Sequence, residues 1–160
     1  MQNITLICIG KLKESYLRDA VGEYIKRLSG LCRLNLVELP AEKLSDNPSR
    51  KEIENALEAE GKRIIEKIPK GAYVYTMCIE GKQKTSEELS AEMDNLAVRG
   101  YSSIVFVIGG SFGISERVKA LSSFRLSMSK MTFPHQVARV MLLEQIYRAQ
   151  QISIGTKYHK

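Results

Sequence analysis

SIVFVI (103–108), running directly into GGSFG (109–113), is the stretch from which the fold is read. After Ser103 every residue is β-branched or aromatic. A strand with one wet face would alternate. An unbroken apolar run of this length reads instead as a strand covered on both faces, the habit of parallel sheets. The glycines end it abruptly, and Ser115 opens a short helix to Leu121. Working outward, ITLICI (4–9) and AYVYTMCI (72–79) are runs of the same kind. RLNLVEL (33–39) alternates and stops at Pro40, and residues 125–129 make a short last strand. Helical spacing fills the gaps. Residues 15–28 carry apolar side chains at Leu17, Val21, Tyr24, Ile25 and Leu28. Ser49 and Glu52 form a capping box that opens a charged helix to about Ile68, with one thin apolar stripe (Ile53, Leu57, Ile64, Ile65, Ile68). Thr85 and Glu88 form a second box, for a helix to Val98. Thr132 is read as the cap of a last helix, with Pro134 in its first turn, running to about Ile152. The order βαβαβαβαβα predicts one α/β domain over residues 1–160, a mostly parallel sheet with helices on both faces. Residues 41–50, rich in turn formers, read as a mobile loop and are assigned no role.

The 160 residues (18.0 kDa) suffice for one such domain. No apolar run is long enough to span a membrane or to serve as a signal-peptide core, so a cytoplasmic protein is expected. Cys8, Cys32 and Cys78 are odd in number and far apart, which excludes a disulfide scaffold and a zinc ribbon; each reads as a buried free thiol. The net charge is +6, and its distribution is uneven. Residues 111–160 hold eight basic side chains (Arg117, Lys119, Arg125, Lys130, Arg139, Arg148, Lys157, Lys160) against Glu116 and Glu144, while the rest is balanced. A one-sided excess of this kind attracts polyanions, and it equally fits a solvated basic surface.

In parallel sheets ligands bind beyond the carboxyl ends of the strands, which directs attention to the loops after Ile79, Ile108 and Ser129. The GGxxG spacing of 109–113 is neither the dinucleotide fingerprint nor a phosphate loop, so it fits a ligand cradle and a tight turn equally, and NAD binding is disfavoured. The segment 127–135 (SMSKMTFPH) mixes methionines, hydroxyls, an aromatic and a proline; Met128, Met131 and Phe133 suit a flat purine. His135, in a first helical turn, is expected neutral. His159 lies in a terminal tail. Two distant histidines without carboxylates at ligand spacing make no metal site.

IVFVIGGSFGI (104–114), LSMSKMTFPHQVARVMLLEQIYRAQQI (126–152) and the ending YHK (158–160), with ICIGKLKESYLRDAVGEYIKRL (7–28) and LVELP (36–40), resemble one family along the whole chain. It is the large-subunit ribosomal RNA pseudouridine N3-methyltransferase family, the RlmH type of the SPOUT methyltransferase class. The resemblance implies a C-terminal trefoil knot over about 104–150 that holds S-adenosylmethionine, with contacts at Met77, Gly109, Met128, Ser129, Lys130, Met131, Thr132 and Phe133. It implies a homodimer with the active site at the interface. It also implies methylation of N3 of a pseudouridine in 23S-type ribosomal RNA, on the assembled ribosome. Arg148, Tyr158 and His159 are the catalytic candidates, with His159 a possible proton acceptor; Lys130, Arg139 and Lys160 are expected on phosphates. The rival readings are a nucleotide-binding enzyme of ordinary doubly wound fold and a non-catalytic ribosome- or RNA-binding module.

Overall fold

The computed structural model describes all residues, 1–160. Ten elements follow in strict alternation: β1 (Gln2–Ile9), α1 (Ser15–Leu28), β2 (Cys32–Leu39), α2 (Arg50–Lys67), β3 (Ala72–Lys82), α3 (Ser86–Val98), β4 (Ser103–Ile108), α4 (Glu116–Leu121), β5 (Phe124–Leu126) and α5 (His135–Ser153). The five strands form one sheet in the order β2-β1-β4-β3-β5, every pair parallel. All six residues of β4 are buried, as the unbroken run requires.

The period of two sorts each central strand between two cores. Ile4, Leu6 and Cys8 of β1, with Ile104, Phe106 and Ile108 of β4, face a larger core filled by Val21 and Leu28 of α1, Met93 and Leu96 of α3, and Leu142 and Ile146 of α5. Ile7, Ile9, Val105 and Val107 face a smaller one closed by Ile64 of α2 and Val118 of α4. Each fully buried aliphatic side chain contributes about 1.5–3 kcal/mol by area. The three cysteines are free and buried. Burial pushes the Cys8 thiol up to about 12 and that of Cys32 to about 11, so both behave as small hydrophobes.

Both capping boxes form as read: Ser49 Oγ accepts from the Glu52 N–H at 3.1 Å, and Thr85 Oγ1 from the Glu88 N–H at 3.1 Å. Five sequence readings need correction. First, β3 runs on to Lys82, past the expected end at Ile79, with a register irregularity between Met77 and Lys82. Second, β5 covers only 124–126. Beyond it the Ser127 hydroxyl donates to the Ser129 carbonyl, and the Ser129 hydroxyl accepts from the Met131 N–H, so side chains take the backbone away from the ladder. Third, Thr132 caps nothing; α5 begins at His135 with an extended Pro134 at the cap. Fourth, α2 buries Ile64 of the expected stripe together with Ala56, Glu60 and Gly61, which the stripe did not include. A Cβ at Gly61 would come within 2.5 Å of Ser115 Oγ, so glycine there lets α4 approach. Fifth, Arg139 cannot touch phosphate. It is 1% exposed, donating to Glu38 Oε2 at 2.6 Å and to the Gly10 carbonyl at 3.1 Å. It ties α5 to the ends of β1 and β2.

Candidate functional site

The loop after β4 turns to α4 on the small-core face, while those after β1 and β3 turn to α1 and α3 on the large-core face. Connections that part to opposite faces leave crevices on both sides of β4. The crevice toward β3 is a cavity of about 810 Å³ at the carboxyl edge of the sheet. Its walls are the strand segment 77–80 within β3 and the segments 108–114 and 126–135; the sequence singles out the last two, and in place of the first the loop after Ile79.

The glycine loop is built for close approach. Gly110 and Gly113 bridge each other, and the Gly113 N–H donates to the Gly110 carbonyl at 3.1 Å. Gly113 has φ +88°, which a side chain would strain. Gly109 is buried, and a Cβ on it would collide with the backbone carbonyl of Gly113. The two equal readings of this loop therefore merge: it is a tight turn, and it also walls a cavity. Met77, Met128, Ser129, Met131, Thr132 and Phe133 all line that cavity; Lys130 is exposed and does not. Thioether, aromatic and backbone walls accept a flat heteroaromatic ring and supply edge hydrogen bonds. Lys119, paired with Glu80 at 2.7 Å, and His135 add polar groups. Burial and the Arg139 charge hold the His135 pKa below its usual value of 6.5, in keeping with a neutral ring. Cys78 also lines the cavity, and burial raises its pKa, which disfavours a thiolate nucleophile.

Arg148, Tyr158 and His159 come together, but not in this cavity. Glu144 is their hub. It accepts from Arg148 Nε at 3.0 Å and from the Tyr158 hydroxyl at 3.1 Å. Burial and that bond raise the Tyr158 pKa, so the phenol stays a donor. The Arg148 guanidinium lies 4.9 Å over the Tyr158 ring, and one of its nitrogens is 3.1 Å from His159 Nδ1. A guanidinium has only donors, so Nδ1 accepts and the ring's proton sits on Nε2, 2.7 Å from Glu87 Oε1. Both ring nitrogens are thereby engaged. Glu144 also lines a hollow of about 430 Å³ that shares Met77, Leu126 and Met128 with the larger cavity. Glu144 and Arg148 sit four apart on α5, a spacing visible in the sequence, whereas only folding brings Glu87 of α3 to His159 and Tyr158 of the tail to Glu144. Of the eight basic side chains in residues 111–160, Lys119, Arg139 and Arg148 are consumed by carboxylates. Arg117, Arg125, Lys130, Lys157 and Lys160 remain exposed without such partners.

Residues 2–159 match the family model described as "Predicted SPOUT methyltransferase". The chain belongs to the SPOUT methyltransferase family. This SPOUT methyltransferase is 56% identical over 158 residues to a protein of Clostridium acetobutylicum, 54% to one of Clostridium beijerinckii and 50% to one of Clostridioides difficile. Each alignment covers 99% of both chains, and each relative is named "Ribosomal RNA large subunit methyltransferase H". Among solved structures, a probable methylase family protein from Haemophilus influenzae superposes with a TM-score of 0.54 at 14% identity, covering 99% of this chain and 71% of that one, a likeness of fold. No helix of the SPOUT methyltransferase is long and apolar enough to cross a membrane.

Proposed function

We propose that the chain transfers a methyl group from S-adenosylmethionine to N3 of a pseudouridine in large-subunit ribosomal RNA, on the assembled ribosome and hence in the cytoplasm. The observation that carries this is the cavity at the sheet edge whose wall has no room for a Cβ at Gly109. Glycine there lets the loop fold against its own Gly113 backbone, which keeps main chain at the cavity wall, and Met128, Ser129, Met131, Thr132 and Phe133 line the other side. Of the expected cofactor contacts, Lys130 is left to meet RNA phosphate instead, with Lys160.

When bound, the cofactor supplies an electrophilic methyl on a sulfonium. The protein's task is to set the ring nitrogen in line with it and to favour the anion that forms as N3 gives up its proton to water. Arg148 is the cation for that anion; Glu144 holds it, and Tyr158, whose hydroxyl donates to Glu144, backs the guanidinium with its ring. His159, with both nitrogens engaged, orients Arg148. Ile79, Phe112 and Met131 are apolar and exposed around the cavity mouth. We assign them to the contact with a second copy, which brings a partner's tail to the mouth and gives a homodimer. The family's knot would lie over about 104–150, where α5 returns beneath the converging loops. The test is transfer of labelled methyl to intact ribosomes, separated subunits and naked RNA. The expected result is transfer to intact particles, lost in Arg148→Ala. Equal transfer to naked RNA overturns the ribosome requirement, and none to any RNA overturns the proposal.

A further inference from the structure

We infer that a second cavity, on the β1 side of β4, receives a nucleobase bearing an exocyclic amine, from the RNA strand flanking the methylated nucleotide. The inference rests on the reading of the protein as an RNA methyltransferase. The cavity has about 740 Å³ and lies at the carboxyl ends of β1 and β2. Gly110, Ser111, Phe112 and His135 line both cavities, so one loop's thickness separates the two. A strand whose target nucleotide sits at the first cavity can set a neighbouring base into the second.

The chemistry of the floor selects the ligand. Glu60 is 8% exposed and lines this cavity. Its Oε2 accepts from the Glu42 N–H at 2.9 Å, while Oε1 has no donor in the protein. The nearby Arg63 is spent on Glu42 and the Pro40 carbonyl. Burial pushes the Glu60 carboxyl above its usual range. Gly110 lies beside this oxygen: a Cβ there would stand 3.9 Å from Oε1, in ordinary contact. An acceptor with no protein donor, open to the cavity on an otherwise buried side chain, can take a ligand N–H, and a carboxylate accepting from an exocyclic base amine is an established mode of base reading. At the rim, Lys11 and Lys13 are exposed and pair with no carboxylate, which suits the backbone phosphates on either side of an inserted base. Arg139, through Glu38 and the Gly10 carbonyl, holds the opposite wall in place.

The test measures steady-state methylation of ribosomes and, separately, calorimetric binding of S-adenosylmethionine. Glu60→Gln should raise KM for ribosomes about tenfold, the loss of one charge-assisted hydrogen bond, with cofactor affinity unchanged. The double variant Lys11→Ala/Lys13→Ala, on the surface and safe for folding, should raise the same KM and flatten its salt dependence. An unchanged ribosome KM in the lysine variant overturns the inference, whatever Glu60→Gln does. So does a Glu60→Gln protein that binds S-adenosylmethionine weakly, which would assign the cavity to the amino-acid end of the cofactor. Wild-type protein that methylates no RNA sinks the parent reading, a pattern distinct from both.

Discussion

Removing either member of the Arg139–Glu38 pair breaks the same bond, yet the two losses should differ in size. Arg139 is 1% exposed, and Glu38 retains 34%. In Glu38→Ala the guanidinium stays buried with the Gly10 carbonyl alone, and Nε already lacks a partner. An uncompensated buried charge costs about 3–4 kcal/mol, which lowers Tm by roughly 6–16 °C in a chain of this length. In Arg139→Met the volume is refilled by an apolar side chain, and Glu38 turns its carboxylate to water. That should cost about 1 kcal/mol, or roughly 2–4 °C. The double variant should match Arg139→Met, leaving a coupling of about 3–4 kcal/mol, the whole cost of Glu38→Ala. Urea unfolding and calorimetry of all four proteins measure this. If Arg139→Met loses as much as Glu38→Ala, the argument from unequal burial is wrong.

The glycine loop offers a second contrast. Gly109→Ala forces a methyl into the Gly113 backbone and should cost about 1–3 kcal/mol together with most of the affinity for S-adenosylmethionine. Gly113→Ala meets open space and carries only the strain of φ +88°, about 1 kcal/mol; calorimetric binding that ranks the two in reverse refutes the cradle. The pH dependence of stability follows from His135. Its folded pKa lies below 6.5, so the unfolded chain binds the extra proton first as pH falls. The contribution is intact above about pH 6.5 and is lost progressively below it, down to the folded pKa. The difference in urea midpoint between wild type and His135→Gln should show that slope, and a flat difference refutes it.

What could be read in advance was what local pattern controls. The runs 4–9, 72–79 and 103–108 announced strands covered on both faces, because their side chains never alternate. The boxes at Ser49 and Thr85 announced helix starts, because capping closes within four residues. The loop after Ile108 announced the cavity, because parallel strands all end on one edge. Competing local bonds defeated the reading around Ser127 and Ser129, and long-range pairing defeated it at Arg139, where a residue counted as a phosphate contact is sealed in the interior.

By itself, then, the order of residues determined the alternating architecture, the buried cysteines, the loops that wall the first cavity and the resemblance to a family that the whole chain matches. Tertiary structure alone decided which charges face water. Arg139 meets Glu38 across 101 positions, His159 meets Glu87 across 72, and Glu42 meets Glu60 across 18. Helix and strand periods act over a few residues, whereas an ion pair depends only on distance in space. Which carboxylate neutralises which cation, and which buried oxygen is left open toward a cavity, is settled once the elements are packed.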